Sequence, residues 1–359
     1  PLFARPLTGT HIALDAAGEN LYLLGRGGIE RIHLADGAAS AVPFEASIAF
    51  DPRGEVEYFF QYFWRITKLK FYQHGMHGVD WDALRTAYAA YLPHIHQWED
   101  FADLMGEMAG QLNASHMGCY YLHPLPFADH TASLGILEDP AHTGAGVRVL
   151  DVLPGAPCDR VGSPVAPGSV ILAVDGVGIS PAMNIDSLLN QKAGVPVQLT
   201  VQPAGGGDPV TCTVAPVTLD EARALSVARW VDKCRTSADA LSGGRIGYVY
   251  IPEMNDEGFR GAITDLFGEM WEKEAVIIDV RFNGGGNLHD QLLALLTGEV
   301  YAGFTSRTGQ LVGRMPINRW AKPTALLANA GSYSDGSIFP HLYKRQKLGP
   351  FIGDPVPGT

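Results

Sequence analysis

The sequence has 359 residues, of which 46% are hydrophobic and 18% charged, and its formal net charge is −12 at pH 7. That length suffices for two or three globular domains with separate cores. No apolar run approaches the roughly 18 residues of a membrane-spanning helix, so an integral membrane protein is excluded and no membrane insertion is expected. The acidic charge repels phosphate backbones, which argues against nucleic acid as a partner.

The four cysteines do not form a metal or redox motif. No C-x-x-C spacing occurs, which excludes a zinc ribbon and a thioredoxin-type site, and no H-E-x-x-H occurs, which disfavours a metalloprotease. Cys158 and Cys212 could pair if the fold brings them together, although free thiols are the simpler interpretation. We therefore expect no metal and no cofactor.

The first third of the chain predicts two kinds of structure. Residues 11–14, 21–24 and 29–34 alternate with turn sequences and predict short hairpins, which are too small to fold alone. We interpret residues 1–50 as the remnant of a larger β domain. From Asp51 the apolar residues recur at helical spacing, with further helices at 81–92 and 98–112. Residues 51–128 therefore predict a helical unit, whose last helix leads into Asn113-Ala114-Ser115-His116.

Residues 129–217 predict a compact β unit. Strands are expected at 147–152, 170–174, 195–201 and 210–214, a turn at 153–157 that leads into a short helix, and a second helix at 184–190. With the turn sequences Leu-Pro-Gly-Ala-Pro and Val-Asp-Gly, this order resembles a PDZ domain of the kind found in bacterial and archaeal proteases. The resemblance implies that the amides of one loop hold a peptide terminus and that the next strand pairs with the peptide. That loop consists of Ser133, Leu134, Gly135 and Ile136; a PDZ-like spacer that binds nothing is the alternative.

Residues 218–359 predict an α/β unit, in which strands and helices alternate. Strands are expected at 245–251, 275–280 and 324–328, and helices at 258–271, 289–296 and 338–343. Sheets of this kind bind ligands at the carboxyl ends of their strands. The residues that follow the last two strands are therefore candidates for the chemistry.

Two of these strand ends carry residues suited to acyl transfer. Ser334 lies at a sharp strand-to-helix turn with Gly336 two residues later, as in a nucleophile elbow, where the helix N-terminus favours developing negative charge. Gly284, Gly285 and Gly286 close the other strand and allow a backbone N–H to approach a substrate carbonyl oxygen, as an oxyanion hole requires. Each feature has a simpler interpretation, because a serine before a helix is commonly an N-cap and three glycines commonly form a tight turn. A phosphate-binding loop is disfavoured, since no Lys-Ser/Thr follows the glycines.

A general base is then required, and His116 is the candidate among twelve histidines. It follows Ser115 at the end of a predicted helix, on a segment of small residues. Most of the other histidines are expected at the surface or hydrogen-bonded in the core.

Together these features resemble the tricorn-like serine peptidases, a group related to the C-terminal processing proteases. The resemblance rests on segments in the family's order: 76–82 (Met-His-Gly-Val-Asp-Trp-Asp), 112–116, the PDZ turns, 281–286, and 332–335 followed by Phe339-Pro340. It covers nearly all of the chain from Asp51 onward. It implies a multidomain α+β fold. The first part would consist of a β-propeller remnant (1–50) and a helical cap that carries Ser-His (51–128). A PDZ-like domain (129–217) would follow, and then an α/β catalytic domain of the C-terminal processing protease or crotonase-like type (218–359), which is incomplete at its C-terminal end.

The resemblance also implies roles for individual residues. Ser334 would attack the scissile carbonyl, and His116 would take its proton. The amide of Asp335 and one of Gly285 or Gly286 would hold the tetrahedral oxyanion.

In the family a serine links the imidazole to a glutamate that follows the nucleophile by some tens of residues. Ser115 matches that serine. Only 25 residues follow Ser334, so we expect the carboxylate beyond Thr359, with Asp290 and Asp354 as weak substitutes.

Substrate preference is where the sequence departs from the family. Tricorn selects basic side chains through an acidic residue between the glycines and the nucleophile. The corresponding stretch holds Phe304, Thr305, Ser306 and Arg307, and no acid. We therefore expect a preference for small or apolar side chains.

The sequence thus predicts a serine endopeptidase that hydrolyses peptides or unfolded protein segments through an acyl-enzyme. The resemblance is compatible with a homo-oligomer and leaves the compartment open between cytoplasm and periplasm. Two alternatives stay open: a catalytically inactive PDZ scaffold that binds peptides, and a lipase or esterase, which the PDZ unit disfavours.

Overall fold

The computed structural model describes residues 11–25, 27–47, 49–122 and 128–358. The chain divides into two compact units, residues 1–121 and 122–359. Residues 1–10, 26 and 48 of the predicted β unit lie outside the described residues, as do residues 123–127 of the predicted helical unit. Within the described part of the chain, no helix has the length and apolar character needed to cross a bilayer.

The first unit begins with a four-stranded antiparallel sheet whose strands follow one another in chain order. The strands are β1 (His11–Leu14), β2 (Asn20–Gly25), β3 (Gly28–His33) and β4 (Ala39–Val42). The three predicted strands are confirmed, and β4 was not predicted. Leu23 and Ile32 are buried, whereas β1 is exposed along its whole length.

Three helices complete the first unit: α1 (Pro52–Lys70), α2 (Trp81–Ala89) and α3 (Trp98–Gly110). They enclose a core of Phe60, Trp81, Met105, Met108 and Leu112, each at most 2% exposed. Helix α2 ends at Ala89, before the predicted position 92, and a short 3₁₀ turn at Leu92–His94 follows it.

The second unit begins with the predicted PDZ-like region, whose strands pair in antiparallel fashion. Its elements are β5 (Ala132–Ser133), β6 (Ile136–Glu138), β7 (Val147–Val152), β8 (Val170–Val174), β9 (Val177–Gly178), β10 (Val197–Gln202), β11 (Val210–Val214) and β12 (Val217–Thr218). The main order is β11-β10-β8-β7-β6, while β12 pairs with β5 and β9 with β8. The predicted strands are confirmed, and Cys158 and Cys212 are free thiols.

Both helices expected in this unit are shorter or absent. The predicted helix 184–190 is a 3₁₀ turn, Ile185–Leu188. The short helix expected after 153–157 does not form. There Gly155 has a φ of 76° and donates its amide to the Asp159 carboxylate, so the segment folds as consecutive turns.

A long helix that the sequence did not predict follows. Helix α4 (Leu219–Ser242) has 24 residues and begins with a capping box between Thr218 and Glu221. It ends at Gly243, which has a φ of 62°. Its apolar residues show little helical periodicity, and Ala222 is its only buried residue.

The rest of the second unit is an α/β layer with a parallel sheet. The strands are β13 (Ile246–Tyr250), β14 (Ala275–Asp279), β17 (Thr324–Ala328) and β18 (Phe351–Gly353), in the order β13-β14-β17-β18; β15 (Ala302–Thr305) and β16 (Leu311–Met315) form a separate hairpin. The helices are α5 (Asp256–Phe267), α6 (His289–Thr297) and α7 (Asp335–Arg345). The core contains Val249, Ile278, Leu326 and Phe339, each at most 2% exposed. Because β13, β14 and β17 are parallel, the loops that follow them meet at one edge of the sheet.

Candidate active site

Ser334 lies in a strained turn between β17 and α7. It has φ 52° and ψ −124°, a combination that a residue with a side chain adopts only when its surroundings enforce it. Helix α7 starts at the next residue, three positions earlier than predicted, so the helix N-terminus lies directly beside the serine. Ser334 is the N-cap residue of α7 by position, but its side chain makes no capping hydrogen bond to the helix.

The glycine loop after β14 packs directly against this turn. A Cβ atom added to Gly285 would lie 2.5 Å from the Ser334 Cβ and 3.1 Å from the Asp335 backbone nitrogen. A Cβ atom added to Gly286 would lie 2.0 Å from the Met254 carbonyl oxygen. Both glycines have positive φ, 102° and 143°. The glycine loop can approach Ser334 this closely because Gly285 and Gly286 have no side chains.

Of the two glycine amides, one is already engaged. The Gly285 N–H donates to the Asn283 side-chain oxygen at 2.8 Å. No such hydrogen bond is recorded for the Gly286 amide within residues 128–358. Gly286, which is exposed, is therefore the better candidate to donate to an oxyanion.

Asn283 is a buried residue whose role the sequence did not reveal. Its side chain donates to the Ile251 carbonyl at 2.9 Å, and its own carbonyl accepts from the Tyr333 amide at 2.9 Å. A Cβ atom at Gly336 would lie 2.7 Å from that same Asn283 carbonyl oxygen. Asn283 thus joins the loops after β13, β14 and β17, and its complete burial makes these bonds strong.

Asp335 holds the beginning of α7 against the beginning of α6. Its carboxylate accepts from the backbone amides of Leu288 at 2.6 Å and His289 at 3.0 Å, and it contacts the His289 imidazole Nδ1. Asp335 is only 1% exposed, so these partners replace water. The carboxylate thereby fixes the orientation of the Asp335 amide, the second candidate oxyanion donor.

A buried ion pair supports the start of the glycine loop. The Arg281 Nε donates to the Asp279 carboxylate at 2.9 Å, and the guanidinium stacks over Trp230, 4.9 Å from the ring centre. The Tyr248 hydroxyl donates to Asp279 at 2.6 Å. Burial, followed by this hydrogen bond, raises the pKa of Tyr248, and the bond to Asp279 raises the pKa of Arg281. Tyrosine and arginine both stay protonated and compensate the fully buried carboxylate.

Ser115 and His116 form a pair in the first unit. The Ser115 Oγ lies 2.5 Å from the His116 Nδ1. Both residues are exposed and follow α3 on an irregular segment in which His116 has a φ of 59°. The pairing at Nδ1 leaves Nε2 as the nitrogen suited to exchange a proton with a nucleophile.

His77 connects the segment 76–82 to the residues just before Ser115 and His116. Its Nδ1 donates to the Leu112 carbonyl at 2.8 Å, just before the Ser-His segment, and Tyr72 Oη lies 2.5 Å from its Nε2. Because a carbonyl only accepts, the proton lies on Nδ1 and the tyrosine donates to Nε2. His77 therefore fixes the point from which the Ser115–His116 segment starts.

The loop expected to bind a peptide terminus lies at the edge of the PDZ-like sheet. Ser133 pairs with Val217, and its Oγ accepts from the Gly135 amide at 3.0 Å. Leu134 is buried, and Ile136 begins β6, the terminal strand of its sheet. The strand position suits pairing with an extended peptide, whereas one of the loop amides already has a partner.

Comparisons with known proteins identify three related domains along the chain. The family model of the tricorn protease C1 domain matches residues 52–110, that of the tricorn protease PDZ domain matches 150–218, and that of peptidase family S41 matches 245–359. The crystal structure of the tricorn protease superposes with a TM-score of 0.76 at 22% identity, covering 97% of this chain and 34% of that one. This structural likeness concerns the fold.

Two tricorn protease homologues of Streptomyces coelicolor are each 30% identical to the chain, over 323 and 313 residues. Each alignment covers 84% of this chain, and the chain spans 26% and 29% of the length of these relatives. The chain is therefore tricorn-like: it carries a tricorn C1 domain, a tricorn PDZ domain and, at residues 245–359, a serine-type peptidase domain of family S41.

Proposed function

We propose that this chain forms the catalytic part of a serine endopeptidase that hydrolyses peptides or unfolded protein segments through an acyl-enzyme at Ser334. The observation that carries the proposal is the strained turn at Ser334, which sets the serine at the start of α7 and against the glycine loop. The pair φ 52° and ψ −124° lies outside the left-handed helical region, the usual place for a side-chain-bearing residue with positive φ, and such strain is characteristic of functional sites.

In this proposal His116 acts as the general base through Nε2, and Ser115 holds the opposite ring nitrogen. The tetrahedral oxyanion accepts hydrogen bonds from the amides of Asp335 and Gly286. The proton taken from the Ser334 hydroxyl passes to the leaving amine, which leaves an ester at Ser334; water then hydrolyses this ester by the same route.

The domain boundaries of the sequence analysis remain part of this proposal: a propeller remnant at 1–50, a helical cap at 51–128, a PDZ-like domain at 129–217 and the catalytic domain at 218–359. The family matches at 52–110, 150–218 and 245–359 support them, because each falls within one of these spans to within one residue. We propose that the PDZ-like loop and β6 bind a peptide segment of the substrate, and that the active form is a homo-oligomer.

The proposal is tested by labelling the chain with a fluorophosphonate, which reacts covalently with activated serines, and locating the adduct by mass spectrometry. We expect a single adduct on Ser334. Ser334→Ala abolishes labelling, and the matched variant Ser237→Ala, at an exposed position of α4, leaves it unchanged. A folded chain that does not label, or labels equally after Ser334→Ala, contradicts the proposal and favours a peptide-binding scaffold.

A further inference from the structure

Glu253 lies in the third loop at the carboxyl edge of the parallel sheet, directly after β13. The next residue, Met254, is 1% exposed and bridges to the glycine loop: its amide donates to the Gly285 carbonyl at 2.9 Å, and its carbonyl accepts from the Asn287 amide at 2.7 Å. These bonds fix the position of Glu253 beside the glycines. The sequence analysis did not single out this residue, because only the fold brings it to the site.

The Glu253 carboxylate rests on Gly284. A Cβ atom added to Gly284 would lie 3.1 and 3.3 Å from the two carboxylate oxygens. Gly284 and Glu253 are both exposed, so the carboxylate faces solvent at the rim of the site. The neighbouring Gly285 touches Ser334, and the spacing of successive Cα atoms then puts the carboxylate at most about 12 Å from the Ser334 Cβ.

The charge of Glu253 is not compensated by a neighbour. Among residues 128–358 its carboxylate has no recorded hydrogen bond or ion pair, and the nearby Arg281 guanidinium is occupied by Asp279. The Glu253 charge also acts on Tyr250, at the end of β13. Burial raises the pKa of Tyr250, and the charges of Asp279 and Glu253 raise it further. A carboxylate in this position attracts a cation from solution.

We propose that Glu253 is a specificity-determining residue that binds a cationic group of the peptide substrate close to the scissile bond. The inference rests on the proposed function and names the substrate class for it. An extended peptide advances about 3.3 Å per residue, so a lysine or arginine within about three residues of the scissile bond reaches Glu253. The substrate's free α-amino terminus carries the same charge and is the second source of such a group. The sequence analysis expected small or apolar side chains because no acid lies between the glycines and Ser334. Glu253 precedes the glycines, so that expected preference is incomplete.

The experiment uses peptides of one sequence in which a single lysine is placed in turn at each of the three positions on either side of the scissile bond. Each is compared with its norleucine counterpart, and each with a free and with an acetylated N-terminus. We expect lysine at one position, or the free amine, to raise kcat/KM about fivefold, the upper range for an exposed ion pair, mainly through a lower KM. Glu253→Gln removes this preference and leaves kcat/KM for the neutral peptide within about twofold. The preference weakens with added salt.

Glu257→Gln is the matched control, since it removes the same charge from an exposed position in the first turn of α5. A preference that survives Glu253→Gln, or that falls equally in both variants, overturns the inference, as does the absence of any cationic preference in the unmodified chain. Binding of the lysine and norleucine peptides to Ser334→Ala, with and without Glu253→Gln, is measured by fluorescence anisotropy and does not require hydrolysis. A charge preference in binding that depends on Glu253 supports the inference even where Ser334 proves inactive, so its failure and that of the proposed function are told apart.

Discussion

The two regions to which the chemistry is assigned differ in how the chain holds them. Around Ser334, buried hydrogen bonds from Asn283 and Asp335 join the loops after β13, β14 and β17 and the start of α6. Around His116, the segment after α3 is exposed; Ser115 contacts the imidazole, and His77 donates to the Leu112 carbonyl just before the segment. The proposed nucleophile and oxyanion donors are thus held by a buried hydrogen-bond network, whereas the proposed base lies on an exposed segment. Substitutions of the residues that hold Ser334 in place should therefore change stability and activity together, and those near His116 activity alone.

The largest effect is expected for Ser334→Ala, which removes the nucleophile. Loss of a catalytic serine lowers kcat by about 10⁴-fold or more. The backbone keeps its conformation, so the melting temperature should stay close to that of the unmodified chain. Peptide hydrolysis and thermal unfolding monitored by circular dichroism measure the two quantities; retained hydrolysis would remove Ser334 from the mechanism.

Gly285→Ala is expected to have the next largest effect, because the new Cβ would lie 2.5 Å from the Ser334 Cβ at a backbone φ of 102°. Either Ser334 or the glycine loop must move. We expect kcat to fall by about 10³-fold and the free energy of unfolding to fall by about 2 kcal/mol. Gly309→Ala is the control, since it also has positive φ but nothing within 4 Å of its Cβ position. Equal effects of the two variants on kcat would contradict the close contact with Ser334.

Asp335→Asn tests whether the carboxylate positions the oxyanion donor. The amide keeps one acceptor oxygen but presents an NH₂ group to the N–H donors at the start of α6. We expect kcat to fall by about a hundredfold, KM to change little, and the free energy of unfolding to drop by about 2 kcal/mol in urea titration. Asp232→Asn, at an exposed position of α4, should change neither quantity. A loss of stability with unchanged kcat would reduce Asp335 to a purely structural residue.

The smallest of these effects is expected for Ser115→Ala, which leaves the His116 Nδ1 without its serine partner. We expect kcat to fall by about ten- to a hundredfold, with the melting temperature unchanged because both side chains are exposed. The comparison of the two regions would be wrong if Ser115→Ala destabilised the chain as much as Asp335→Asn does.

The sequence predicted those parts of the molecule that local chemistry determines. The β-branched run of β14, the glycines after it and the Ser-x-Gly turn are short-range features, and the structure has each at its predicted place. Helix α4 escaped prediction because a single buried residue gives it no apolar stripe.

The contacts that the side chains of Asp335 and Asn283 make escaped prediction for another reason, although the Asp335 amide was predicted as an oxyanion donor. Asp335 binds the amides of residues 46 and 47 positions away, and Asn283 binds Ile251 from 32 positions away. No local pattern marks such partners, and Glu253 likewise reaches the glycine loop only through the pairing of Met254 with Gly286.

The central claim is that the imidazole of His116 serves the hydroxyl of Ser334, and a crystal structure of the fluorophosphonate adduct tests it most directly. We predict phosphorus bonded to the Ser334 Oγ, its oxygen within about 3.2 Å of the amides of Gly286 and Asp335, and the His116 Nε2 within hydrogen-bond distance of the adduct. An adduct whose neighbouring imidazole belongs to another histidine, or that has none, would contradict the account.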